Sequence, residues 1–136
     1  MKRFVLAAIF VLSLVSTALA EQSVITTSSG NVANATASAS VAASVQNSTY
    51  LTGFEVTAGG ATVGACVNLT ITGLLGGTAT YVVCAPAGVT AMAQPLVVQF
   101  NPRLRSSAIN TAITVSLPAL GTGNTNASVN VHGYAE

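Results

Sequence analysis

Cys66 and Cys84 are the only cysteines in the chain, and the residues around them admit one antiparallel register. With the two sulfurs directly opposite each other, Thr72 faces Thr78, Thr70 faces Thr80 and Asn68 faces Val82. On the other side of the ribbon Ile71 meets Ala79, Leu69 meets Tyr81 and Val67 meets Val83. One face is then mostly polar and carries the sulfurs, while the other is apolar apart from a tyrosine hydroxyl. Side chains alternate across a strand with period two, so a slip of one residue would mix the faces. Gly73-Leu74-Leu75-Gly76-Gly77 remains as a five-residue connection, a length that hairpins use. Joining the pair should stabilise the fold by about 3 kcal/mol in the chain-entropy account. The alternative use, a strained bond reduced as a switch, belongs to labile disulfides. The spacing is not that of a Cys-x-x-Cys redox motif.

Disulfides persist in oxidising compartments, and residues 1–20 read as the signal that sends the chain to one. Lys2 and Arg3 form a basic start, Phe4 to Val15 an apolar run broken only by Ser13, and Ala18-Leu19-Ala20 a small-residue ending. Those are the three parts of a secretory signal peptide, with cleavage expected after Ala20. The apolar run is short for a membrane span, which needs about 20 residues. No second long apolar run follows, so no stable membrane span is expected after cleavage. The product, Glu21 to Glu136, is expected to be secreted, periplasmic or held at the cell surface.

Export also strips the chain of charge. Beyond residue 20 the ionisable side chains, apart from tyrosines and cysteines, are Glu21, Glu55, Glu136, Arg103, Arg105 and His132. Nucleic-acid binding needs a basic face to displace counterions, and none can be built from two arginines. Calcium takes mainly carboxylate ligands, and a structural zinc set needs more than two cysteines and one histidine. No cofactor or metal is therefore expected. The surface must be made of Ser, Thr, Asn, Gln and Gly, and so little net charge favours self-association.

Strand patterns fill the remaining chain. From Ala35 to Gln46 small apolar and polar residues alternate, which is either a half-buried strand or an Ala/Ser/Thr-rich stalk over 21–47. Thr49 to Thr57 places Tyr50, Thr52, Phe54 and Val56 on one face. Val63–Thr72, Thr78–Ala85, Gln94–Phe100, Ala108–Leu117 and Ala127–Tyr134 follow, separated by Gly-, Pro- and Asn-rich turns. Pro95 lacks a backbone donor, so its strand should lie at an edge or begin after it. Ile109, Thr111, Ile113, Val115 and Leu117 form one face of a strand expected to be central. The expectation is an all-β fold, an antiparallel β-sandwich or jelly roll of about seven or eight strands over residues 48–136, with the strand or stalk of 21–47 before it.

Candidate chemistry is sparse. His132 is the sole imidazole base, and a Ser–His pair completed by Glu55 is the one catalytic arrangement that counting permits. There is no Gly-x-Ser-x-Gly turn and no aspartate to orient the ring, so a structural histidine is the preferred reading. Arg103 and Arg105, two apart in an extended segment, would point the same way and could clamp a carboxylate or sulfate. The plainer reading is that they keep a loop soluble or pair with Glu55. Asn34, Asn47, Asn68 and Asn126 each begin an Asn-x-Ser/Thr triplet, which matters only in a glycosylating host.

The strings TGFEVTAGGATVGA, TITGLLGGTATY, PLVVQFNP, NTAITVSLPALGTGNTNA and VHGY, spanning about Phe54 to Tyr134, resemble a family of small uncharacterised β proteins found around phages and prophages. The resemblance implies a virion or cell-surface accessory role and no enzyme activity. In composition the exported chain also resembles chaperone–usher pilins. Together these features lead to the expectation of an exported, non-enzymatic surface protein of structural or adhesive kind, meeting copies of itself or a surface polymer or glycan. A phage-related decoration or receptor-binding module is the alternative, and a small secreted hydrolase the least favoured.

Overall fold

Val, Ile, Thr and Tyr on alternate positions produce eight strands in the described part of the chain: β1 (Ile25–Ser28), β2 (Ala37–Val41), β3 (Thr49–Gly59), β4 (Ala65–Thr72), β5 (Ala79–Ala85), β6 (Leu96–Arg105), β7 (Ile113–Leu117) and β8 (Asn126–Ala135). The computed structural model describes residues 23–136. The expected signal peptide, its cleavage point after Ala20 and Glu21 lie outside the described residues.

The strands form two four-stranded sheets, β1-β8-β3-β6 and β2-β7-β4-β5. We call them sheet A and sheet B. Every pairing is antiparallel. β1 pairs with β8, β2 with β7, β3 with β6 and β4 with β5, as in one long ribbon doubled back on itself. The pairings β8–β3 and β7–β4 then roll that ribbon into two facing layers. This nested order is the jelly-roll form of the β-sandwich. Residues 25–28 and 37–41 are strands within it, one in each sheet, and the boundary expected at residues 47–48 falls in the turn between β2 and β3.

Between the sheets lies a core of Leu51, Phe54 and Val56 from β3, Leu69 and Ile71 from β4, Ile113, Val115 and Leu117 from β7, and Val129 and Val131 from β8, all fully buried. Val41, Leu74, Val83 and Leu120 and alanines 37, 39, 58, 85 and 127 complete it. The small residues among them let the sheets approach closely. A Cβ at Gly133, for instance, would collide with the Tyr50 carbonyl and the methyls of Val41.

The β4–β5 hairpin has the register read from the cysteines. Cys66 pairs with Cys84, Val67 with Val83, Asn68 with Val82, Leu69 with Tyr81, Thr70 with Thr80 and Ile71 with Ala79. The disulfide is formed, with the two Cα atoms 4.0 Å apart, and it stands on the exposed face of sheet B. Pro95 immediately precedes β6, which is an edge strand, and β7 is an inner strand.

Two local expectations differ. Tyr50, Thr52, Phe54 and Val56 do not share a face, because Leu51 and Phe54 both point into the core. Between Leu51 and Gly53 the ladder with β8 shifts, leaving Thr52 as the extra residue of a β-bulge, while on the other side the irregularity lies in β6, whose residues 100–103 stand opposite Thr52. Gly53 is required there, since a Cβ would stand 2.6 Å from the Val98 carbonyl oxygen. Ile109 does not belong to the buried face of β7: it is 59% exposed, in a turn where Asn110 adopts φ 55°. Asparagine tolerates that left-handed conformation, and the strand starts only at Ile113.

Replacing both cysteines, Cys66→Ser with Cys84→Ser, is expected to lower stability by about 3 kcal/mol in urea unfolding. Hydrogen exchange should quicken in β4 and β5 well before β3 and β8. Uniform acceleration would show that the bond constrains more than its hairpin.

Candidate functional site

Sheet A turns its outer face to solvent, and the polar residues of β1, β3, β6 and β8 line up on it by register. One row carries Ser28, Asn130, Glu55 and Val97, and the next carries Thr26, His132 and Gln99 on either side of Gly53. The bulge at Thr52 sets this arrangement, because it resets which residues of β3 face outward.

Two depressions mark the face. The larger, about 650 Å³, is lined by Ser28, Gly30, Asn31, Thr57, Thr90, Ala91, Asn126, Ser128 and Asn130. Its floor is β8 and β3, and the segment around Thr90 forms one wall. That segment is fastened by Met92 N–H donating to the Ala58 carbonyl (2.7 Å) and Asn126 Nδ2 donating to the Thr90 carbonyl (2.7 Å). Asn31 Nδ2 donates to Asn126 Oδ1 (2.9 Å), and the hydroxyls of Thr57 and Ser128 share a bond of 2.7 Å. All of the lining residues except Gly30 and Ala91 are Ser, Thr or Asn, and no charged side chain is among them. The smaller depression, about 350 Å³, is lined by Thr52, Gly53, Gln99, Phe100, Asn101 and His132.

Glu55 lines neither depression and stands beside His132, which lines the smaller one. His132 Nε2 lies 3.7 Å from Glu55 Oε1, and His132 Nδ1 is 3.0 Å from the Thr26 hydroxyl. The sequence named Glu55 and His132 as possible partners, and they do meet. The hydroxyl that joins them is that of Thr26, a residue with no signal of its own in the sequence. The order hydroxyl, imidazole, carboxylate is that of a hydrolytic triad. All three sit on an open sheet face where water competes for each bond, and Glu55 and His132 are half-buried, with 43% and 31% of their side-chain surface exposed. Among the described residues no group of three or more His, Cys, Asp or Glu side chains gathers as a metal site.

Arg103 and Arg105 occupy the end of β6 but take different partners. The Arg103 guanidinium lies 5.1 Å from the Tyr50 ring centroid and 4.9 Å from that of Tyr134, and pairs with Glu136 at 3.5 Å. The two rings are stacked at 5.3 Å. Such cation–π contacts contribute about 0.5–1 kcal/mol at exposed sites. Arg105 donates from Nε (3.1 Å) and Nη2 (2.9 Å) to the Ser48 hydroxyl. The expected partner of both, Glu55, contacts neither; it is held by His132. Of the Asn-x-Ser/Thr asparagines, Asn47 bonds locally to Ser44, Asn34 and Asn126 bond to distant segments at Gly123 and Thr90, and Asn68 stands exposed on β4.

No family model, curated protein or solved structure matches this chain.

Burial raises the Tyr134 phenol above its ordinary value, against the smaller opposing pull of Arg103. Its hydroxyl has no hydrogen-bond partner among the described residues. A group whose pKa is raised by folding contributes stability below the unfolded value, about 10 for tyrosine, and loses it as pH rises through the folded one. Tyr134→Phe should therefore lie within about 1 kcal/mol of the parent at neutral pH. It should also lose less stability than the parent as pH climbs above about 10. Identical alkaline limbs in pH-dependent urea melts would refute the assignment to Tyr134.

Proposed function

We propose that the protein is an exported, non-enzymatic surface protein of structural or adhesive kind, which meets an uncharged polymer, a glycan above all, through the outer face of sheet A. The observation that carries this reading is the shallow depression between the Thr90 segment and the Asn31 turn, formed mainly by Ser, Thr and Asn residues with no charged side chain. Sugars are recognised through hydrogen bonds to neutral donors and acceptors, and a shaped concavity supplies several at once. Asn130 reaches the face between Ser28 and Glu55 and makes no side-chain hydrogen bond to the described residues, so its amide is available. Low net charge supports self-association as a way to multiply weak contacts.

Pull-down on insoluble polysaccharides, followed by a glycan array, tests the reading. Asn130→Ala should reduce retention about fivefold, since one amide hydrogen bond contributes roughly 1 kcal/mol. Light scattering on the Glu21–Glu136 chain is expected to find an oligomer. A monomer that retains no polymer would sink the proposal.

A phage-related accessory module is the second reading. It rests on the likeness of strings between Phe54 and Tyr134, and on the use of jelly rolls in viral capsid and lectin domains, an analogy of fold alone. Tail or capsid genes beside this one would favour it. The hydrolase reading rests on Thr26, His132 and Glu55. A hydrolytic activity abolished by His132→Ala would establish it against the proposal.

A further inference from the structure

Independently of the face just described, we infer that one end of the sandwich docks on an anionic lipid surface, setting apolar loop tips into the bilayer boundary. Chain direction sorts the loops. β1 runs antiparallel to β8, β8 to β3 and β3 to β6, so β1 begins at the end where β3 begins and β6 finishes. The β2–β3, β4–β5 and β6–β7 loops lie at that same end. Of the nine exposed large apolar side chains among the described residues, five are gathered there: Val24 and Ile25 at the start of β1, then Val45, Leu75 and Ile109. The last three, one on each loop, are 75%, 60% and 59% exposed. The opposite end carries only Val63 and Val89 of that set, and Val82 and Val97 lie along strands.

The three loops are fastened to one another. Asn110 N–H donates to the Asn47 carbonyl (3.0 Å), Ser107 N–H to the Gly73 carbonyl (2.8 Å) and Leu75 N–H to the Arg105 carbonyl (2.9 Å). Ser106 N–H donates to the Thr49 carbonyl (2.8 Å). The tips are therefore held in place before any partner arrives, which lowers the ordering cost of docking.

Charge decides between occupants. Arg103 and Arg105, the only Lys or Arg side chains among the described residues, both belong to the last turn of chain in β6 at this end. Arg103 is balanced by Glu136 at 3.5 Å. Arg105 is held by the neutral Ser48 hydroxyl at the foot of the β2–β3 loop and has no acidic partner among the described residues. Two copies meeting end to end would oppose these charges. A protein interface also needs a continuous close-packed core, whereas these tips stand apart among Ser, Asn, Gln and Gly. A bilayer boundary takes up separate apolar side chains and, where its lipids are anionic, attracts the guanidinium.

Flotation of the oxidised Glu21–Glu136 chain with sugar-free vesicles tests the inference, one set of phosphatidylcholine and one containing phosphatidylglycerol. Binding is expected to be about fivefold stronger to the anionic set, and Arg105→Gln should remove that preference. Val45→Ser with Leu75→Ser and Ile109→Ser should cut binding at least about tenfold. Val45→Asp alone serves if the triple variant does not fold. Val63→Ser with Val89→Ser, at the opposite end, should change nothing. The chain contains no tryptophan, so the emission of Val45→Trp should shift to the blue only when vesicles are added. Absence of binding to either set, or binding that survives loss of the three tips, would overturn the inference. So would a blue shift without vesicles, which would place a second copy over this end.

Discussion

The ladder between β3 and β8 carries the rest of the molecule. It is the longest pairing, running from Thr49 opposite Ala135 to Gly59 opposite Asn126. Every other strand of sheet A hangs from it, β6 on the β3 side and β1 on the β8 side. The ladder also fixes both faces. Inward, Leu51, Phe54, Val56, Val129 and Val131 form the floor on which sheet B packs. Outward, it presents the polar rows that include Glu55, His132 and Asn130, and the Tyr50–Tyr134 stack under Arg103. The bulge at Thr52 is the hinge of this division. Without the extra residue, Leu51 and Phe54 could not both be buried, and the outward row would carry different residues.

Sheet edges need protection because their unpaired N–H and C=O groups recruit further strands. Here each edge is blunted in its own way. β1 and β2 are only four and five residues long. β5 is stapled to its neighbour by the disulfide. β6 follows Pro95 and contains Pro102, Arg103 and Arg105, two positions without a backbone donor and two with charge. A chain with almost no net charge would otherwise be prone to edge-to-edge growth. Blocked edges direct any association to the faces, where side chains rather than backbone decide the partner.

Much of this architecture could be read from the residues. The hairpin register followed from the polar and apolar sorting around Cys66 and Cys84, because period-two patterning is unambiguous when one face is buried. The inner position of β7 and the edge position of β6 followed from a β-branched run and a proline. What could not be read depends on contacts between distant segments. The bulge is dictated by the packing of Leu51 and Phe54 across two neighbouring strands, and nothing local to Thr52 announces it. The Thr26–His132 bond joins residues 106 apart in the chain. The Thr90 wall comes from a stretch with no strand pattern, fastened only in three dimensions by Ala58 and Asn126. Arg103 and Arg105 were visible as a pair, but their separate partners, Glu136 and Ser48, depend on where the two ends of β3 and β8 meet.

The nested order of strands also governs when the molecule can exist at all. β8 occupies an inner position in sheet A, between β1 and β3, yet it is the last strand to be synthesised. Until residues 126–135 are present, β1 has no neighbour, β3 lacks its main partner, and only the β4–β5 hairpin joins segments close in sequence. An incomplete chain therefore has little native structure to collapse into. Such dependence on distant pairings slows folding, and it leaves the chain largely unpaired until its inner strand β8 is in place.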